Sequence, residues 1–357
     1  VCRVGAVERA KATDSVTLEP DDVRILRALQ IDPRGGFAAM AAVLGLSEAT
    51  VGRRYRRMVR QGVVRVTGVV DPGALGQSHW MVRLRCRPGG GTALAEALAD
   101  REDVSWVVLG AAGSEVTCAV RSRSQEQRDD LLGRKLPRAA SVIDLQASLV
   151  LRKFLGGRGS YWAALSGVLT AAEESALGSS ENPFTEGPMT TREPVRLDPQ
   201  DEKLLAALAT DGRAGLVALG AAADLTAGRA GRRLQALLAS GLVYLHVEVA
   251  PAALGYRVQA NLWLRVRPSE VKAVGTALAR MPEVGFSGAL TGRDNVHATV
   301  HCRDLDELFD FTSDRVGVLP GVEGMEVSPV FRQVKQAGTR VSGDHLATPP
   351  PSPRRRQ

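Results

Sequence analysis

Cysteine is sparse and scattered: Cys2, Cys86, Cys118 and Cys302 are the only four. They form no CxxC and no Cys/His cluster with zinc spacing, which excludes a disulfide framework and a structural metal site and reads as reduced thiols of a cytosolic protein. No apolar run approaches the roughly 18 residues of a membrane span, and no charged-then-apolar leader pattern opens the chain. Enzyme signatures are missing too. There is no GxGxxG placed after a strand, no P-loop, no GxSxG and no HExxH. Five histidines (His79, His246, His297, His301 and His345) are few for acid–base work. No catalytic residue, metal or cofactor is expected.

What is present is positive charge and repetition. Net charge is +7 with a pI near 9.6, a balance that favours nucleic acid or an anionic surface as partner. "LEPDDVRILRALQIDPRGG…" from Leu18 aligns without a gap on "LDPQDEKLLAALATDGRAG…" from Leu197, at an offset of 179. About a third of these positions are identical, which is far beyond chance for so long a stretch. At an offset of 180, "VRLRCRP" matches "LWLRVRP" and "SVIDLQASLVLRKF" matches "GVEGMEVSPVFRQV". A period this long is not a solenoid but two copies of a two-domain unit.

The unit reads as α+β. Helical spacing runs over 21–29 and 37–44, and Ser47 is a good N-cap for a third helix over 48–61 that stops at Gly62. Helix, short helix, "GLS" turn and basic helix is the helix-turn-helix pattern, and "VVRVTGVVDP" suits the strands of a wing. The rest of each unit follows the order βαββαβ, the ferredoxin-like split arrangement, whose open sheet face calls for the other copy as partner.

These readings divide the chain into an N-terminal tail (1–17), winged helix-turn-helix 1 (18–76), ferredoxin-like domain 1 (77–155), a linker (156–194) with a short central helix, winged helix-turn-helix 2 (195–255), ferredoxin-like domain 2 (256–337) and a disordered tail (338–357).

On a helical wheel Val51, Tyr55 and Met58 share a buried face, and Arg53, Arg56, Arg57 and Arg60 project opposite, with Arg54 on the flank. Small residues at the entry end let the helix approach base edges in a major groove. The expected DNA contacts are therefore Ser47, Ala49, Thr50, Arg53, Arg54, Arg56 and Arg57. In the second copy they are Thr226, Gly228, Arg229, Arg232 and Arg233. An exposed basic face that is merely solvated is the alternative. The repetition of Arg53/Arg54 as Arg232/Arg233 argues against it.

The chain thus resembles the Lrp/AsnC (feast/famine) family of bacterial transcriptional regulators. The residues that carry the likeness are "LDPQDEKLLAALATDGR", "LGLSEATVGRRYRRMVRQGVV", the exits "DPGALG" and "APAALG", and the βαββαβ endings "SLVLRKF" and "SPVFRQVKQAG". The resemblance covers about 18–155 and 196–337. It implies a cytoplasmic, sequence-specific regulator that binds double-stranded DNA. It also implies an intramolecular pseudo-dimer of the two ferredoxin-like domains, homo-oligomers, and an amino-acid or other small-molecule effector. By the same resemblance the effector loop is Thr291, Gly292, Arg293, Asp294 and Asn295. The first copy has "AAGSE" there, without the motif, and a plain hairpin turn is the competing reading of the second.

Two alternatives stay open. Sirohaem decarboxylases have a similar plan, and His297 and His301 share one strand face. Or only the first helix-turn-helix meets DNA.

Overall fold

The computed structural model describes residues 17–122, 124–157, 161–178 and 197–347. The first repeat opens with α1 (Pro20–Ile31), α2 (Phe37–Leu44) and α3 (Glu48–Arg60), then β1 (Val64–Val70). Its second part comprises β2 (Ser78–Cys86), α4 (Gly91–Ala99), β3 (Val104–Gly110), β4 (Glu115–Ser122), α5 (Gln125–Asp130) running on to α6 (Leu136–Arg138), and β5 (Val142–Leu155). A short helix α7 (Ala171–Ala176) lies in the linker. The second repeat is α8 (Pro199–Thr210), α9 (Leu216–Ala223), α10 (Ala227–Ser240), β6 (Val243–Val249), β7 (Val258–Val266), α11 (Val271–Ala279), β8 (Val284–Leu290), β9 (Val296–Cys302), α12 (Leu305–Asp310) and β10 (Val322–Gln336).

The fold class is as read: helix-turn-helix plus ferredoxin-like, twice. The strand after each third helix, however, finds its partner in the other copy. β1 pairs antiparallel with β6, with Thr67 opposite His246 at the centre of the ladder. These two residues are one repeat offset apart, so a pseudo-twofold axis passes between them. Each strand is β-branched and lacks a hairpin partner of its own, and a lone strand leaves its backbone unpaired. The two strands satisfy each other and join the helical domains.

A second exchange closes the sheets. β5 and β10 are long, 14 and 15 residues. Their first halves pair at home, β5 with β2 and β10 with β7. Their second halves cross, β5 to β8 and β10 to β3. The eight strands β3-β4-β2-β5-β8-β9-β7-β10 therefore form a closed antiparallel ring. Closure removes the exposed edges.

Outside the ring, Val82, Leu84, Val107 and Val116 pack against Ala95 and Leu98 of α4 and against Leu131 and Leu136, which follow α5, and Leu262, Leu264, Val296 and Val300 pack against Val274 and Leu278 of α11, Leu308 of α12 and Phe311 just after it. The inner face is smaller and more polar. Met81, Ala119, Trp263 and Leu290 form its apolar patch, among buried Glu115, Thr117, Asn261, His297 and Thr299. At symmetry-related positions, the Arg83 guanidinium lies 5.3 Å from the Trp263 ring. Arg83 also pairs with Glu115 and Glu326, and Ser328 donates to Glu115.

The tail expectation is corrected in part. β11 (Thr339–Ser342) and β12 (His345–Leu346) form a hairpin. Leu346 is buried and its N–H donates to the Gly62 carbonyl, which is why this stretch is ordered. Residues 1–16, 123, 158–160, 179–196 and 348–357 lie outside the described residues. In the linker, α7 is anchored by Arg24–Glu173 and Arg27–Glu174, with Leu165 and Leu169 buried in the first helical core. No helix among the described residues is long and apolar enough to cross a membrane.

Candidate nucleic-acid interface

Ser47 starts α3: its hydroxyl accepts from the Thr50 N–H at 3.1 Å and donates to the Thr50 hydroxyl at 2.9 Å. Thr226 caps α10 in the same way, accepting from the Arg229 N–H at 3.4 Å. Each cap satisfies a first-turn amide and leaves other helix-end N–H groups for an anion. Val51 and Met58 are buried and Tyr55 is half-buried, so the wheel's inner face is correct. Ala49 and Gly228 are exposed at the entry ends.

The arginines fall into two groups. Arg53, Arg56 and Arg60 in α3, and Arg229 and Arg232 in α10, are exposed and have no ion-pair partner among the described residues. Arg54 and Arg57 are committed elsewhere. Arg54 donates to Glu19 at 2.8 Å and to Asp22 at 3.2 Å, and Arg57 to Asp22 at 2.5 Å. Asp22 is fully buried and also accepts from the Glu19 N–H. The hydrogen bond to Glu19, foremost, raises the Arg54 pKa above its ordinary value. In the second repeat Arg233 pairs with Asp198 and Asp201, the equivalents of Glu19 and Asp22. Arg57 therefore does not project from the outer face as the wheel placed it. A wheel fixes the angle of a residue but not the reach of its side chain, and Arg57 bends to the α1 N-terminus, where carboxylates gather.

The loop Thr291–Asn295 is tied into the backbone at both ends. The Thr291 hydroxyl accepts from the Leu149 N–H and its own N–H donates to the Leu149 carbonyl, both at 2.9 Å. The Asn295 amide bonds both backbone groups of Val266, at 2.8 and 2.9 Å. Gly292 has a φ of +108°. Gly292 and Arg293 are exposed and Asp294 is half-buried.

His297 and His301 are drawn apart in environment. His297 is fully buried between the copies, its ring 4.4 Å from Trp263 and 5.6 Å from Phe286. Burial pushes its pKa down to about 3, helped by Arg83. His301 sits at the rim of the ring, 5.1 Å from Trp162, and burial lowers it to about 4.

A DNA-type helix pair on a duplicated ferredoxin-like ring defines the class, and the comparisons agree. A model of the AsnC-type helix-turn-helix domain matches 20–59, and one of the Lrp/AsnC ligand binding domain matches 259–339. The chain belongs to the Lrp/AsnC family of helix-turn-helix transcriptional regulators.

Among its relatives is the HTH-type transcriptional regulator Rv2324 of Mycobacterium tuberculosis, 30% identical over 141 residues, 38% of this chain and 93% of that one. The HTH-type transcriptional regulator FL11 of Pyrococcus horikoshii is 29% identical over 143 residues, 40% of this chain and 94% of that one. Each relative thus matches one repeat. Across 89% of this chain and 93% of the other, the fold is like that of the siroheme decarboxylase NirDL (TM-score 0.59), at 12% identity.

Proposed function

We propose that α3 is the principal DNA-reading helix, that Arg53 and Arg56 are its leading phosphate or base contacts, and that α10 with Arg229 and Arg232 is a second, weaker arm. Ser47, Ala49, Thr50, Thr226 and Gly228 bring the helix ends against the duplex. Arg54, Arg57 and Arg233 hold the third helix on the first and act on DNA only through that position. The observation that carries the reading is the sorting of equivalent arginines. Arg53 and Arg232, equivalent in the two repeats, are exposed and have no ion-pair partner among the described residues, while their neighbours Arg54 and Arg233 are locked to carboxylates in both.

The two arms differ in charge, so the preferred site is an asymmetric one, read from double-stranded DNA in the cytoplasm. The reading is of a regulator and not an enzyme. A small-molecule effector and homo-oligomers belong to it, as the family model over 259–339 is of a ligand-binding domain. The experiment is selection of bound sequences from a random duplex pool, followed by gel shifts of single-arm variants. A strictly palindromic site bound by one chain overturns the asymmetric reading.

A further inference from the structure

A cavity of about 250 Å³ lies between the helical domains and the sheet ring, and every residue of β6, Val243 to Val249, lines it. Neighbours on a strand point to opposite faces, so an unbroken run of them meets one cavity only along the strand's edge. That edge is the free one, since β1 takes the other.

The ladder fixes which backbone groups face outward. Antiparallel pairs alternate between those that bond each other and those whose N–H and C=O groups point away. The Val66 carbonyl accepts from the Gly212 N–H at 2.8 Å, and the Val249 carbonyl from the Gln336 side chain at 3.4 Å. The pairs Val64–Val249 and Val66–Val247, and by the alternation Gly68–Leu245, are therefore of the outward kind. This places the Leu245 carbonyl and the Val247 N–H side by side on the cavity edge, and neither has a hydrogen-bond partner among the described residues. An unpaired edge of this kind is a template for a partner that offers a donor beside an acceptor.

The two repeats differ here. Val66, the counterpart of Leu245, has its carbonyl closed by Gly212, whereas the counterpart of Gly212 is Pro33, which lines the cavity and has no N–H to give. Leu155 lines the cavity, whereas its counterpart Lys335 is buried and donates to the Arg101 carbonyl at 2.7 Å.

The walls narrow the chemistry. Trp162 is held from both sides: its indole N–H donates to the Pro282 carbonyl at 2.7 Å, and its own carbonyl accepts from the Gln30 amide at 3.4 Å. Its ring lies 5.2 Å from Tyr256 and 5.1 Å from His301. No lysine or arginine is among the described residues that line the cavity, so nothing there receives an anion. Burial, with Arg121 and Lys153 beyond the wall, lowers His246 to about 4, and burial lowers His301 to about 4, so both rings are neutral at pH 7. A cavity near 150 Å³ accepts benzene, so this one has room for two fused rings.

We propose that this cavity binds a flat, uncharged nitrogen heterocycle of purine-base size, its adjacent acceptor and donor paired with the Val247 N–H and the Leu245 carbonyl and its ring lying against Trp162. The site is distinct from the Thr291–Asn295 loop. Its walls come from α1, the linker, β6 and the sheet ring, so occupancy bears on how the helical domains sit on the ring. That consequence rests on the regulator reading above; the site itself does not.

The test is calorimetric titration of the full chain, without DNA, using adenine, 6-dimethylaminopurine and adenosine monophosphate. Adenine offers the acceptor and the donor, the dimethyl compound lacks the donor, and the nucleotide adds a charge that no cavity side chain receives. Adenine is expected to bind saturably and at least about tenfold more tightly than either of the others. Trp162→Ala is expected to lose about tenfold, while Trp162→Phe keeps adenine binding within about threefold and loses the quenching of tryptophan fluorescence that adenine causes in the unaltered chain. No saturable adenine binding, equal or tighter binding of either analogue, undiminished binding in Trp162→Ala, or quenching that persists in Trp162→Phe would each overturn the proposal. The comparison of the three compounds on the unaltered chain needs no variant to fold. Loss of DNA binding alone leaves it standing.

Discussion

Arg34 and Arg213 occupy the same position of the two repeats, and each caps the other's loop. Arg34 donates to the carbonyls of Gly212 and Ala214 at 2.5 and 2.8 Å, and Arg213 to those of Pro33 and Gly35 at 2.6 and 2.8 Å. Arg213 also lies over Phe37 and Tyr55, 4.8 and 5.3 Å from the ring centres. The pair fastens the helical domains beside the β1–β6 ladder. Arg34→Ala is expected to cost about 2 kcal/mol and Arg213→Ala about 3, since the second also loses its ring contacts. Urea unfolding checks the order, and equal or negligible losses contradict it.

DNA binding should separate the two groups of arginines. The pair Arg53→Ala and Arg56→Ala is expected to weaken duplex binding at least about tenfold and to shallow the slope of log K against log salt by about two. Arg54→Ala is expected to lower stability by about 1–3 kcal/mol through the buried Asp22 it leaves behind, with the salt slope unchanged. A salt slope that drops in Arg54→Ala places that side chain on the phosphates instead.

Glu248 gives a pH signature. A carboxyl raised to about 7 in the folded chain, from an ordinary 4.5, favours folding below pH 4.5 and loses that contribution as pH climbs through 7. Its charged neighbours are Arg65 and Arg121. Glu248→Gln is therefore expected to stabilise the protein at pH 8 by on the order of 2–3 kcal/mol relative to its effect at pH 5. The depressed His246 works the other way, losing stability as pH falls through about 4, and it cancels in the wild-type-minus-variant difference. A flat difference between pH 5 and 8 rejects the assignment.

The first repeat's loop carries strain that the second avoids. Ala111 and Ala112 have φ of 45° and 53°, a region unfavourable for a side-chain-bearing residue. Ala112→Gly is expected to raise stability by about 1 kcal/mol at thermal or chemical unfolding. A loss shows that its methyl group matters more than its backbone.

Much of this was legible in the sequence because it is periodic. The 179-residue offset, the Ser47 cap, and the Val51/Met58 face fixed the helices, and the alternation around "VRLRC" marked the strands. Partners across the repeat were not legible. Nothing in "VRVTGVV" says that its mate is "VYLHVEV" 179 residues on and not an adjacent wing strand. Nor does helical angle reveal that Arg57 reaches Asp22, or that the Glu248 carboxylate accepts from Thr67 and Thr339 on two other strands. Those contacts follow from tertiary closure, where sequence spacing carries no signal.

The meeting of Arg83 and Trp263 across the pseudo-axis has a consequence for how such a chain can evolve. In an assembly of two identical subunits, one codon writes both sides of the axis, and an arginine there must confront its own image. Covalent joining gives each side its own codon, so a cation can face an indole and the two sides of the axis can diverge in charge.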